Sequence, residues 1–112
     1  MALVSAQIKR GSAELAVLSL LADHPLHGYE IAKQIELQTG GVLGFDMASL
    51  YPMLHRLERK NWVKADWQTL PNGRRRRCYR LTASGRKQIA PLRAQWRAFF
   101  HALQSVTGFQ NA

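Results

Sequence analysis

Arg74, Arg75, Arg76 and Arg77 follow the turn signal Pro71-Asn72-Gly73 without interruption, and four guanidinium groups in one place are equipped for a polyanion. Each offers a planar fork of donors that matches a phosphate. Four like charges at the end of a tight hairpin also repel one another unless an anion lies against them. Phosphate or minor-groove contact is therefore expected of all four. A second set lies upstream in Ser49, Tyr51, His55 and Arg56, spaced to occupy the polar side of one helix. Arg56 can pair bidentately with guanine, and His55 is either a base reader or a plain surface histidine. Tyr51 can half-bury its ring and point its hydroxyl at a phosphate. Ser49 suits a helix cap and, compatibly, a base edge or phosphate. Tyr29 and Lys33 stand near the start of another helix, whose N-terminus favours an anion, and are expected on the flanking backbone. His27-Gly28 reads instead as structural, the glycine allowing close packing.

Other chemistries lack their residues. There is no glycine-rich phosphate loop, no carboxylate pair beside a histidine and no metal cluster, so the chain does not read as an enzyme. No cofactor is expected. His24 and His27 flank Pro25 and no second ligand pair follows, which argues against metal. The single cysteine, Cys78, excludes an intrachain disulfide and fits a reducing compartment. Nearby arginines would favour its thiolate, but the chain holds no resolving cysteine.

The 112 residues carry a formal charge of +9, which points to nucleic acid first and anionic membrane second. The distribution is more telling than the total. From Arg59 to His101 there are twelve Lys/Arg residues and one acid, Asp66, while the other six acids lie between Glu14 and Glu58. One face should be basic. No apolar run is long enough to cross a membrane, and the N-terminus is a poor signal peptide, so a cytoplasmic location is expected.

The elements that must hold these residues follow from periodicity. A first helix is expected from a cap at Ser12 to about Ala22; it is apolar nearly all round and should be covered on two sides. A second runs from about Gly28 to Thr39 with Ile31, Ala32 and Ile35 inward. A third begins at Ser49 or at Asp46, with Pro52 in its first turn and Leu50, Leu54 and Leu57 inward. Trp62 to Thr69 alternates as a strand with Val63, Ala65 and Trp67 on one face. The returning strand turns Tyr79 and Leu81 inward and leaves the arginines at the turn end. Thr82 caps a last helix to about Thr107, with a kink expected at Pro91. Along it Ile89, Leu92, Trp96, Phe99, Leu103 and Val106 follow a 3-4-3-4-3 spacing, a heptad seam on a helix of roughly 35 Å. A domain this small has little core to cover such a seam, so a second copy is expected there, with Leu15 and Leu18 of the first helix joining the contact. The reading is a mainly α fold with a small β-hairpin: a winged helix-turn-helix at 1–82 and a dimerisation helix at 83–112, forming one compact unit.

Three segments carry a family resemblance: LHGYEIAKQIE at 26–36, SLYPMLHRLE at 49–58 and NGRRRRCYRLTASG at 72–85. Together they resemble the PadR family of bacterial transcriptional regulators, over nearly the whole chain from Ser12 and in the short form with one terminal helix. The GGVLGFDMASLYP stretch looks like the variant found beside transporter genes. The resemblance implies a homodimer on a pseudo-palindromic operator, acting as a repressor, and in some members released by a small planar or phenolic molecule. Trp96 and Phe100 would line that effector site. Four arginines in a row and Pro91 depart from the family pattern. The rival reading is a protein-interaction module that turns its basic wing toward an acidic partner.

Overall fold

The computed structural model describes residues 6–109, with side chains from Ser12 onward. The elements run α1 (Ala6–Leu21), β1 (Leu26–His27), α2 (Gly28–Gln38), α3 (Met47–Arg59), β2 (Val63–Thr69), β3 (Arg75–Leu81) and α4 (Ala83–Thr107). The fold is mainly α with a β-hairpin wing, as expected. One short strand is new: β1 pairs Leu26 with Tyr79 and His27 with Cys78, giving a sheet of order β1-β3-β2. Two residues are too few to show a period in the sequence.

The core is drawn from every longer element. Val17, Leu18 and Leu21 of α1 meet Ile31 and Ile35 of α2, Leu50, Met53, Leu54 and Leu57 of α3, and Val63, Tyr79 and Ile89. α1 begins at Ala6, so Ser12 lies within the helix and does not cap it. The strong helix formers at 6–10 offset Gly11, which costs about 1 kcal/mol in a helix. Leu18, expected at a dimer contact, is fully buried in this core and has no surface left for a second copy.

α3 is capped by Asp46, whose Oδ1 accepts the amide N–H of Ser49 at 2.8 Å. Ser49 is therefore a donor to the cap. Pro52 falls in the second turn, beyond the amides that a helix leaves unpaired. Its missing N–H deprives the Ala48 carbonyl of a partner. Both residues are exposed, so water can supply the bond.

β2 and β3 pair antiparallel with Val63 opposite Leu81, Ala65 opposite Tyr79 and Trp67 opposite Arg77. The turn closes through Gly73 N–H to Leu70 O at 2.9 Å, with Gly73 at φ +84° where only glycine is at ease. At the other end Thr82 caps α4: its Oγ1 accepts from Gly85 N at 2.9 Å and donates to Asn61 O at 2.6 Å. α4 stays helical through Pro91 and ends at Gly108, φ +74°. Beyond Leu92 it leaves the core, and Phe99, Leu103 and Val106 are 51%, 41% and 88% exposed.

Candidate nucleic-acid interface

Leu50, Met53, Leu54 and Leu57 bury one side of α3, and this fixes what its other side presents. Ser49, Tyr51, His55, Arg56 and Arg59 are all exposed, as their spacing requires. Tyr51 lies across the start of α2. A β-carbon added to Gly28 would stand 3.2 Å from the Tyr51 ring, so the glycine is there to let the ring pass. Tyr29 and Lys33 are exposed on α2.

The N-terminus of α2 already has an anion of its own. His27 is the cap: its Nδ1 accepts the Glu30 N–H at 3.4 Å, and Glu30 Oε1 lies 2.9 Å from His27 Nε2 and 3.5 Å from His27 N. This reciprocal box satisfies two donors at once. Burial holds the His27 pKa below its usual value; Glu30 opposes the shift and Arg76 assists it. A neutral imidazole with Nε2–H toward Glu30 accounts for both contacts. His27 is thus structural, and the Glu30 carboxylate competes with any phosphate at that helix end.

The arginine run is divided in a way that its sequence conceals. Only Arg74 lies in the turn; Arg75, Arg76 and Arg77 are in β3 and so alternate between the faces of the wing. Arg75 stacks over the Trp67 ring, 4.8 Å from its centroid. Arg76 Nε donates to Gln68 Oε1 at 3.2 Å on the other face. Arg77 turns inward and donates from Nη2 to Glu58 Oε2 of α3 at 2.9 Å. Its guanidinium also lies 5.8 Å from the centroid of Trp67 and 5.7 Å from that of Tyr79. The expectation that none of the four reaches the core is corrected for Arg77. The period of two places it on the face of Ala65 and Tyr79, and Glu58 compensates its charge.

Trp67 lies on the expected face but at its outer end. It shares the face of Val63 but is 58% exposed, because that face outruns the core toward the hairpin tip. Glu58, Trp67 and Arg80 were missed as residues of this surface. Arg80 pairs with Asp66 at 3.2 Å on the exposed side of the wing. Such an exposed pair is weak, on the order of 1 kcal/mol or less, and yields readily to a stronger anion. The β register was the available signal, since it puts Arg75 and Arg77 on the Trp67 face and Arg77 the nearer of the two to Tyr79.

Cys78 does not carry the activated thiolate that its basic neighbours implied. Burial pushes its pKa up and outweighs the opposing effect of Arg76. Among the described residues no three His, Cys, Asp or Glu side chains come together for a metal ion, and no helix is long and apolar enough to cross a membrane.

A separate groove opens where α4 leaves α1. Leu15, Arg93, Trp96, Arg97, Phe100, His101 and Gln104 line about 340 Å³. Trp96 meets Phe99 edge-on at 5.6 Å and Phe100 at 6.1 Å, so both expected effector residues, Trp96 and Phe100, border this space.

Comparison with known proteins gives the arrangement a lineage. Residues 17–91 match the transcriptional regulator PadR-like family. A transcriptional regulator of Mycobacterium tuberculosis is 31% identical over 105 residues, covering 94% of this chain and 92% of that protein. A solved transcriptional regulator from Clostridium thermocellum superposes with a TM-score of 0.85 at 27% identity, covering 94% of this chain and 99% of that one. A PadR family transcriptional regulator from Eggerthella lenta shares the fold, with a TM-score of 0.80 at 24% identity over 93% of this chain and 88% of that one. The match spans α3 and the whole wing, and by it this chain belongs to the PadR-like family of transcriptional regulators.

Proposed function

We propose that this chain is a sequence-specific DNA-binding repressor that acts as a homodimer on a pseudo-palindromic operator. The observation that carries the reading is the placement of the exposed polar face of α3 beside an arginine-bearing wing in one packed unit. α3 has the dimensions of a major-groove reader, with His55 and Arg56 reading bases and Ser49 and Tyr51 positioning the helix on phosphates. Arg74, Arg75 and Arg76 grip the backbone, and Tyr29 and Lys33 reach its flank. The second copy docks along Leu92, Trp96, Phe99, Leu103 and Val106, with Leu15 at the margin. Ile89 lies at the root of that seam, mostly inside the core of its own chain.

A small aromatic effector fits the groove at Trp96 and Phe100, since about 300 Å³ is the lower end of ligand-pocket volumes. Its edges carry Arg93, Arg97 and His101. Sequencing genomic fragments retained by the purified protein, then titrating the enriched site against salt, tests the central claim. If six to ten phosphates are neutralised, affinity should fall by roughly 10³ to 10⁵ between 50 and 200 mM salt. Retention of random fragments, or a salt slope near zero, would overturn it.

A further inference from the structure

The pair between α3 and the wing is more enclosed than the other ion pair described on the wing. Glu58 and Arg77 are 23% and 30% exposed, whereas Arg80 and Asp66, also on the wing, are 44% and 60% exposed. Arg77 is further enclosed by the Trp67 and Tyr79 rings. Two buried atoms of the pair, Glu58 Oε1 and Arg77 Nε, have no hydrogen-bond partner. Glu58 Oε1 lies 3.7 Å from His55 Nδ1, one helical turn away on the proposed reading face and too far for a hydrogen bond.

We propose that Glu58 is the positioning residue of the DNA-binding surface and that Arg77 is a cross-brace, not a phosphate ligand. The proposal rests on the DNA-binding reading above. A phosphate that drew the Arg77 guanidinium outward would strip Glu58 of this donor and leave a half-buried carboxylate unpaired, which is costly. Phosphates therefore take the outer cations, and Arg77 ties β3 to the last turn of α3. The brace fixes the angle between reading helix and wing. The second carboxylate oxygen stands beside His55, so one acidic side chain borders both a base-reading residue and the wing.

Counterion release separates a brace from a ligand. Each phosphate neutralised contributes about 0.9 to the slope of log K against log salt, and an arginine already neutralised by Glu58 contributes nothing. The parent, Arg75→Gln, Arg77→Gln, Glu58→Gln and the Glu58→Gln/Arg77→Gln double variant are titrated with the selected operator at several salt concentrations. Arg75→Gln should lose about 0.9 of slope. Arg77→Gln should keep the parent slope, and the double variant, which leaves no lone charge, should keep it even if Arg77→Gln folds poorly. Glu58→Gln frees the Arg77 charge and should gain up to about 0.9. Loss of slope in the double variant equal to that of Arg75→Gln overturns the brace while leaving DNA binding intact. A flat slope in the parent removes both.

Discussion

Gly85→Ala is the sharpest test of how the reading unit is joined to its terminal helix, because two opposite effects compete. Alanine is about 1 kcal/mol better than glycine in a helix interior, so an unobstructed position would gain. Here the added carbon would stand 2.0 Å from Trp62 O, 2.8 Å from Trp62 C and 3.0 Å from Trp62 Cα. Carbon pairs rest at about 3.5–4.0 Å, and all three obstacles are backbone, so no side chain can swing clear. Relief requires the Trp62 peptide to move away from α4. That peptide accepts the Thr82 N–H at 3.1 Å, and Thr82 in turn holds Asn61 O and caps α4. Overpacking costs about 1–3 kcal/mol, and losing one of these bonds costs about 1 kcal/mol more. After the helix gain, a net loss of roughly 1–3 kcal/mol remains from a total stability of about 5–15 kcal/mol. At about 4 °C per kcal/mol for a chain of this size the melting temperature should fall by roughly 4–12 °C. Thermal unfolding followed by circular dichroism, at one fixed protomer concentration, measures it. Gly44→Ala is the control, since its only near neighbour is Gly41 O at 3.8 Å, and it should leave the transition nearly unmoved. A Gly85→Ala protein melting at or above the parent temperature would refute the argument and show that the junction yields.

Two further outcomes are expected. His27 should make the protein less stable in mild acid: burial lowers its folded pKa from the usual 6.5, so below about pH 6.5 the unfolded chain binds the proton first, and stability falls until the folded pKa is passed. His27→Asn keeps a capping side chain without the titration and should flatten that part of the melting-temperature profile between about pH 7.5 and 5.5; equal slopes in the two proteins would count against the assignment. Leu103→Glu places a charge on an already exposed site of the seam, so the single chain should fold as before while sedimentation shifts from dimer to monomer; a parent that sediments as a monomer at micromolar concentration would remove the proposed interface.

The helices were legible because each buries a stripe, and a stripe leaves a period. Leu50, Leu54 and Leu57 predicted the orientation of α3, and with it the exposure of His55 and Arg56. The caps at Thr82 and, as one of two options, Asp46 were legible for the same local reason. Ser12 misled because a good capping residue is also tolerated inside a helix, and the sequence carries no mark of which role it takes. Leu18 misled because an all-apolar helix shows that two sides are covered but not by what. The arginine run concealed most. Four identical residues carry no pattern, and only the pairing of β3 with β2 shows that Arg77 belongs with Trp67 and Tyr79. Its partner, Glu58, lies nineteen positions earlier, and no local rule links the two.

The junction at Thr82 also has a mechanical consequence. β3 ends at Leu81, Thr82 is the cap and α4 starts at Ala83, so no slack residue separates the hairpin from the long helix. Thr82 is also tied to Asn61 and Trp62 at the entry to β2. The helix is therefore a lever and not a tether. A tilt of its outer half, where Trp96 and Phe100 border the groove, would turn against the pivot at the base of the wing and, with Arg77 held to Glu58, would carry wing and α3 together. Torque applied more than two turns along α4 would reach the arginines without any loop having to fold or unfold.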